Sequence, residues 1–263
     1  MRISITDRCN LRCIYCMPQT RKTYLRQEEL LTYDEIVKLA GIYRSLGIKN
    51  VKLTGGEPLV REHIEELIFR LKKECGMGKV TLTTNGILLE QQLDGLVKAG
   101  LDGVNISLDA KAELAKDGVN VRFIELMPIG QGKEKHTLKE AEVKHILSET
   151  YGTIRPCEEK LGSGPAHYWK IDGFEGKIGF ISAISHKFCS GCNRVRMTAD
   201  GFLKPCLQYE TGMDLRTLLR DGVSDAELKV QIETIITQKP KCHHFGEINE
   251  PERTEHRGMS EIG

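Results

Sequence analysis

Residues 9–16 read CNLRCIYC, three cysteines at a C-x3-C-x2-C spacing. They follow at once on RISIT, residues 2–6, whose period-two alternation reads as a strand. Such thiols can staple a small fold, hold a zinc ion, or occupy three corners of an iron–sulfur cluster. The chain has nine cysteines: Cys9, Cys13, Cys16, Cys75, Cys157, Cys189, Cys192, Cys206 and Cys242. An odd count without a secretory signal pattern argues against a disulfide scaffold. Structural zinc takes four ligands, usually as two pairs, and this stretch has no obvious fourth nearby. A four-iron cluster is held by thiolates, and three of them leave one iron open. Cys75, Cys157 and Cys242 stand alone and read as incidental thiols.

Working outward, the first half alternates short β runs with helical patterns. Thr32 and Glu35 form a capping-box pattern ahead of the helix YDEIVKLAGIYRSLG. The strand VKLT ends on GGEP, and a helix follows over 61–74. The strand KVTLTT ends at Asn85–Gly86, and the helix LLEQQLDGLVKAG closes on glycine. GVNISLD and VNVRFIEL are two further strands. This alternation predicts an α/β fold, an open or closed (βα) barrel with its chemistry at the C-terminal strand ends. CNLRCIYC, TGGEP, TTNG, SLD and ELMP would then share one rim, supplied by five strands. Between Asp109 and Val119, however, lie only the nine residues AKAELAKDG. A parallel crossover needs a dozen or more. Either one βα unit is missing, or these two strands are not parallel neighbours.

The second half changes character. TLKEAEVKHILSETYG is an amphipathic helix, and HYWKIDGFEGKIGFISAIS reads as β with a turn at Gly173–Gly176. CSGCNRVRMTADGFLKPC follows, then two helices and a polar tail. The division expected is a barrel core over 1–130, with its gap at 110–118, and a C-terminal α+β iron–sulfur domain over 131–263. A length of 263 residues, 40% hydrophobic and 29% charged, suits such a globular protein. A net charge of +1 argues against bulk binding to nucleic acid or a membrane surface, so an anionic ligand needs a local basic cluster. No apolar run approaches a membrane span, and a cytoplasmic location is expected.

An open iron can bind an amine–carboxylate pair, which S-adenosylmethionine presents, and the cofactor would carry the difficult radical chemistry. Gly55 and Gly56 permit close backbone approach, and Glu57 offers a carboxylate. The second cysteine group, Cys189, Cys192 and Cys206, is C-x2-C-x13-C. Zinc stays open here, because Cys242, His243 or His244 could add a fourth ligand. Arg194 and Arg196, two apart on a strand, share a face and point instead to an anionic or purine-bearing ligand beside an open iron.

RISITDRCNLRCIYCMP, LTGGEPLVR, LTTNG, VNISLDA, VRFIELMPIG, FCSGCNRVRMTADGFLKPCL and MSEIG together resemble the GTP 3′,8-cyclase family of radical S-adenosylmethionine enzymes, over nearly the whole chain and in order. The resemblance implies a partial (βα) barrel of the radical S-adenosylmethionine type, here short by one βα unit, with two [4Fe–4S] clusters facing one cavity, S-adenosylmethionine as cofactor, and GTP cyclised in molybdenum cofactor biosynthesis. It implies that Cys9, Cys13 and Cys16 hold the first cluster, and Cys189, Cys192 and Cys206 the second. Tyr15, Gly55, Gly56, Glu57, Ser107 and Met127 would meet S-adenosylmethionine. Thr83, Arg194 and Arg196 would meet GTP, with Arg2, Lys52 and Arg122 as candidates for its triphosphate. Lys52 stands where some members carry arginine. The implied partners are GTP, a reductant, the downstream cyclic pyranopterin monophosphate synthase and a second copy in a homodimer.

This chain departs from the family pattern in lacking a fifth strand with its flanking helices, a lysine of the triphosphate site, the leader before the first strand, and one of two terminal glycines. Two other readings therefore stand beside the cyclase. One is a peptide-modifying radical S-adenosylmethionine enzyme with an auxiliary cluster. The other is a shortened, non-catalytic paralogue that binds a cluster or zinc.

Overall fold

The computed structural model describes residues 1–17, 23–108, 111–134, 137–159, 161–162, 164–245, 247 and 262. Asp109, Ala110 and most of MSEIG, with their expected roles, lie outside the described residues. The main sheet has seven strands. Its parallel centre is β1 (Arg2–Ser4), β2 (Asn50–Thr54), β3 (Lys79–Thr84) and β4 (Gly103–Ile106). α1 (Tyr33–Ser45), α2 (Ile64–Lys73) and α3 (Leu89–Lys98) form the crossovers.

The cause is alternation along each strand. Ile3, Val51, Leu53, Val80 and Leu82 face one way and bury against Ile36, Leu39 and Tyr43 of α1 and Leu67 and Leu71 of α2. The expected capping box is present: Thr32 Oγ1 accepts from the Glu35 N–H at 3.2 Å, and the Glu35 carboxylate accepts from the Thr32 N–H at 2.7 Å. Such a cap is worth about 1 kcal/mol. Gly100, at φ +95°, ends the third helical segment as expected.

One expectation fails. VNVRFIEL does not join the rim. β5 (Val121–Ile124) pairs in parallel with β8 (Ile178–Ile181) in a separate four-stranded sheet. That sheet also holds β6 (Ile154–Cys157) and β7 (His167–Ile171), and α4 (Glu140–Tyr151) packs on it. The physical reason is the short link: its described part makes a single 3-10 turn at Ala112–Ala115, which cannot carry the chain back alongside β4. The two strands are therefore not parallel neighbours, as the short link allowed. β4 and β5 each end a sheet. Across the seam, Arg122 donates to Asn105 Oδ1 at 2.6 Å.

The C-terminal half returns to the main sheet. β9 (Arg196–Met197) pairs in parallel with β1, and β10 (Phe202–Lys204) and β11 (Met213–Asp214) extend it antiparallel. α5 (Leu215–Arg220) and α6 (Asp225–Thr237) bury Leu215, Leu228 and Ile232 in the same core as α1. Both sheets thus draw strands from either side of residue 130. Among the described residues, no helix is long and apolar enough to cross a membrane.

Candidate active site

The strand registers assemble the site. Across the main sheet, Lys204 lies beside Arg196, Arg196 beside Arg2, and Arg2 beside Lys52, which faces Thr81. Residues paired across strands point to the same face. The opposite face carries Ile3, Leu53, Met197 and Leu203 into the core, so the four cations line the inner face as one row. Thr83, two residues beyond Thr81, shares that face and pairs with Asn105, which holds Arg122. Arg194, two before Arg196, stacks over the Phe188 ring at 5.1 Å.

These cations repel one another. Burial first, and then Arg194, lowers Arg2 to about 10. Burial, followed by Arg2, Arg122 and Arg194, lowers Lys52 from 10.5 to about 8. Arg196 is buried and pushed well below the ordinary arginine value, by burial and then by Arg2 and Arg194. The Met1 amino group falls to about 6, through burial and then Arg2, Arg196 and Lys239. The structure therefore brings Arg2, Lys52, Arg122, Arg194 and Arg196 together around one space. The thiolates of Cys192 and Cys206 act on Arg196, so the second cysteine group borders the row.

The first cysteine group sits on the rim beyond β1. Main-chain N–H groups of Cys16 and Met17 donate to the Cys13 carbonyl at 3.0 and 3.1 Å, closing a turn that brings Cys13 and Cys16 onto one loop. The Leu11 N–H is aimed at Cys9 Sγ at 3.3 Å. Burial raises the Cys9 thiol against this donor. Gly55 and Gly56 press on this loop: the Gly56 N–H donates to the Thr6 carbonyl at 2.7 Å and Glu57 N–H to the Arg8 carbonyl at 2.8 Å.

Glu57 is buried and fully engaged. Its carboxylate accepts from the Leu59 N–H, the Thr84 hydroxyl and the Asn85 N–H at 3.0, 2.7 and 2.7 Å. Asn85 then donates to Asn10 Oδ1 at 2.7 Å, tying TTNG to the cysteine loop. Ser107, exposed after β4, donates its N–H to the Thr84 carbonyl at 2.7 Å and so joins the same rim. Tyr15 is half-buried in the cysteine loop. Met127 lies apart from these contacts, packed with Ile129, Phe245 and Ile262.

The donor sets fit iron–sulfur clusters. All nine cysteines are free thiols, half-buried and reachable. The two groups present three thiols each, and N–H donors point at the sulfurs of Cys9 and Cys192. Burial works against the Cys192 thiolate, but the Arg194 N–H and Lys239 outweigh it and the thiol is lowered. For the zinc reading, His243 is turned to the Ala183 carbonyl at 2.8 Å, and Cys242 Sγ faces His244 Nε2 at 3.5 Å. Among the described residues, no three His, Cys, Asp or Glu side chains gather closely enough for a single ion. Spacing did not reveal Lys204, Lys239 or the Asn10–Asn85 tie, because each depends on register or on distant contacts. The alternation of FLK opposite RVRM could have flagged Lys204.

A groove of about 640 Å³ opens elsewhere, between the free side of β5, α4 and residues 111–113, with Phe123, Leu126, Leu147 and Phe180 in its wall. None of the grouped cysteines, the cations of the row or the expected S-adenosylmethionine contacts lines it.

Residues 3–123 match the model of the Radical SAM superfamily, and residues 119–245 match that of Molybdenum Cofactor Synthesis C. A GTP 3′,8-cyclase of Clostridium perfringens (strain SM101 / Type A) is 38% identical over 313 positions, covering 100% of this chain and 96% of the relative. One from Heliobacterium modesticaldum is 39% identical over 319 positions, with the same coverage. Molybdenum cofactor biosynthesis protein 1 of Dictyostelium discoideum is 36% identical over 318 positions, covering 100% of this chain and 50% of that protein. Each alignment is longer than this 263-residue chain, as its short inter-strand link leads one to expect. Fold and cysteine rim define a radical S-adenosylmethionine enzyme. Within that class, the chain belongs to the GTP 3′,8-cyclase family.

Proposed function

We propose that this chain converts GTP to (8S)-3′,8-cyclo-7,8-dihydroGTP in molybdenum cofactor biosynthesis. The observation that carries the reading is the in-register cationic row beside the second cysteine group. Cys9, Cys13 and Cys16 would hold the first [4Fe–4S] cluster, and Cys189, Cys192 and Cys206 the second. Bound there, the first cluster and S-adenosylmethionine would supply the radical chemistry for hydrogen abstraction. Gly55, Gly56, Ser107 and Tyr15 shape the rim that would receive S-adenosylmethionine. Glu57 braces that rim through Thr84 and Asn85, and Met127 would be a further contact of the cofactor. Arg2, Lys52 and Arg122 would take the triphosphate, and Thr83, Arg194 and Arg196 the nucleoside side of GTP.

Functionally, residues 1–130 would serve the cofactor and residues 131–263 the second cluster. An external reductant supplies the electron, and the product passes to cyclic pyranopterin monophosphate synthase. The chain is read as cytoplasmic and as a homodimer. Calorimetric GTP binding to the reconstituted protein tests the row. R196L, with circular dichroism as the check on folding, should lose about 10-fold or more in affinity, the worth of one charge-assisted contact. Unchanged affinity would contradict the reading.

A further inference from the structure

Lys239 follows the C-terminal end of α6, just before Pro240. Its ammonium has three N–H donors. They meet the Cys192 carbonyl at 2.8 Å, the Cys192 sulfur at 3.3 Å and the Arg194 carbonyl at 2.6 Å. All three contacts thus fall on one irregular stretch, Cys192–Arg194. The next carbonyl, that of Val195, accepts from the Arg2 N–H at 2.9 Å. One lysine therefore anchors the backbone that links a cysteine of the second group to the arginines of the cationic row.

We propose that Lys239 is a positioning residue of the second cluster. Its ammonium clamps the Cys192 sulfur and the adjoining carbonyls, holding both the cluster's electron affinity and the stance of Arg194. The inference rests on the reading that Cys189, Cys192 and Cys206 hold a cluster. A cationic donor on a ligating sulfur stabilises the reduced, more negative cluster, so it raises the reduction potential. Two carbonyls tied to the same ammonium keep the cysteine loop from drifting away from the row. Arg194, stacked on Phe188, inherits that fixed position.

The test uses the full-length chain with Cys9, Cys13 and Cys16 replaced by alanine, so that the second cluster alone is read. It is reconstituted anaerobically, and K239M and K239R are compared with it. The readouts are iron and sulfide content and an EPR-monitored redox titration, with circular dichroism as the check on folding. K239M should show a negative shift in midpoint potential, or lose the cluster while remaining folded. K239R, which keeps the charge and the donors, should restore either property. Full iron and an unshifted potential in K239M would overturn the proposal, as would a K239R variant no different from K239M. Failure of the Lys239-containing protein to hold any cluster would overturn the underlying reading instead. Should the alanine background not fold, the same titration on the two-cluster chain resolves the second component by its response to added GTP.

Discussion

At the scale of single residues, Lys52 is the most telling. Half-buried beside Arg2 in register, with Arg122 and Arg194 acting on it, it has a folded pKa of about 8 against an ordinary 10.5. Between those values the unfolded chain binds more protons, so nucleotide-free stability rises with pH across that window. The wild-type melting temperature should climb from pH 8 to pH 10 relative to K52M, whose profile lacks this contribution. Nucleotide binding runs the other way. A bound polyanion favours the charged lysine, so GTP affinity should fall as pH rises above about 8. K52R, whose guanidinium stays charged, should flatten that decline; an equally steep fall in K52R would place the titrating group elsewhere. The sequence made these cations visible one by one. It did not make the row visible, because adjacency of Arg196, Arg2 and Lys52 is a property of register between strands almost 200 residues apart.

At the scale of elements, Gly55 and Gly56 matter for a reason beyond ligand approach. A Cβ on Gly56 would sit 2.4 Å from the Arg8 carbonyl oxygen and 2.7 Å from its carbon. Those atoms are backbone and cannot turn aside. Gly55 adds φ +152° and a Cβ position 2.5 Å from the Thr6 carbonyl oxygen. The two glycines therefore let the end of β2 dock against the loop that carries the first cysteines. G56A should cost ~1–3 kcal/mol, as overpacking does, and reduce first-cluster iron. Urea unfolding and iron analysis on the variant check both, and wild-type values in each would refute the docking role. The Thr32 capping box and the glycine stop at Gly100 were legible because local chemistry dictates them. The engagement of Glu57 with Thr84 and Asn85 was not, since its partners lie on another strand.

At the scale of the molecule, the chain is a main sheet and a smaller sheet meeting along a seam. The nine-residue link between Asp109 and Val119 announced that the crossover there was abnormal. The destination of β5 was not announced, because its partner Ile178–Ile181 is chosen by tertiary packing around Phe180 and Val121. Ile106 and Ile124, at the two facing sheet edges, stay 50% and 61% exposed. Free edges of this kind are fraying and pairing sites. Hydrogen exchange should be faster at β4 and β5 than at β2 and β3, which have neighbours on both sides. Uniform protection across all four would argue for a closed sheet.

The central claim is that the two cysteine groups and the cationic row form one working centre. Anaerobic incubation with GTP, S-adenosylmethionine and a reductant tests it most directly, with both products measured. The expected result is 5′-deoxyadenosine together with a cyclised dihydro-GTP, both absent without GTP or in the Cys9/Cys13/Cys16 alanine variant. No 5′-deoxyadenosine from an iron-replete chain would contradict the claim.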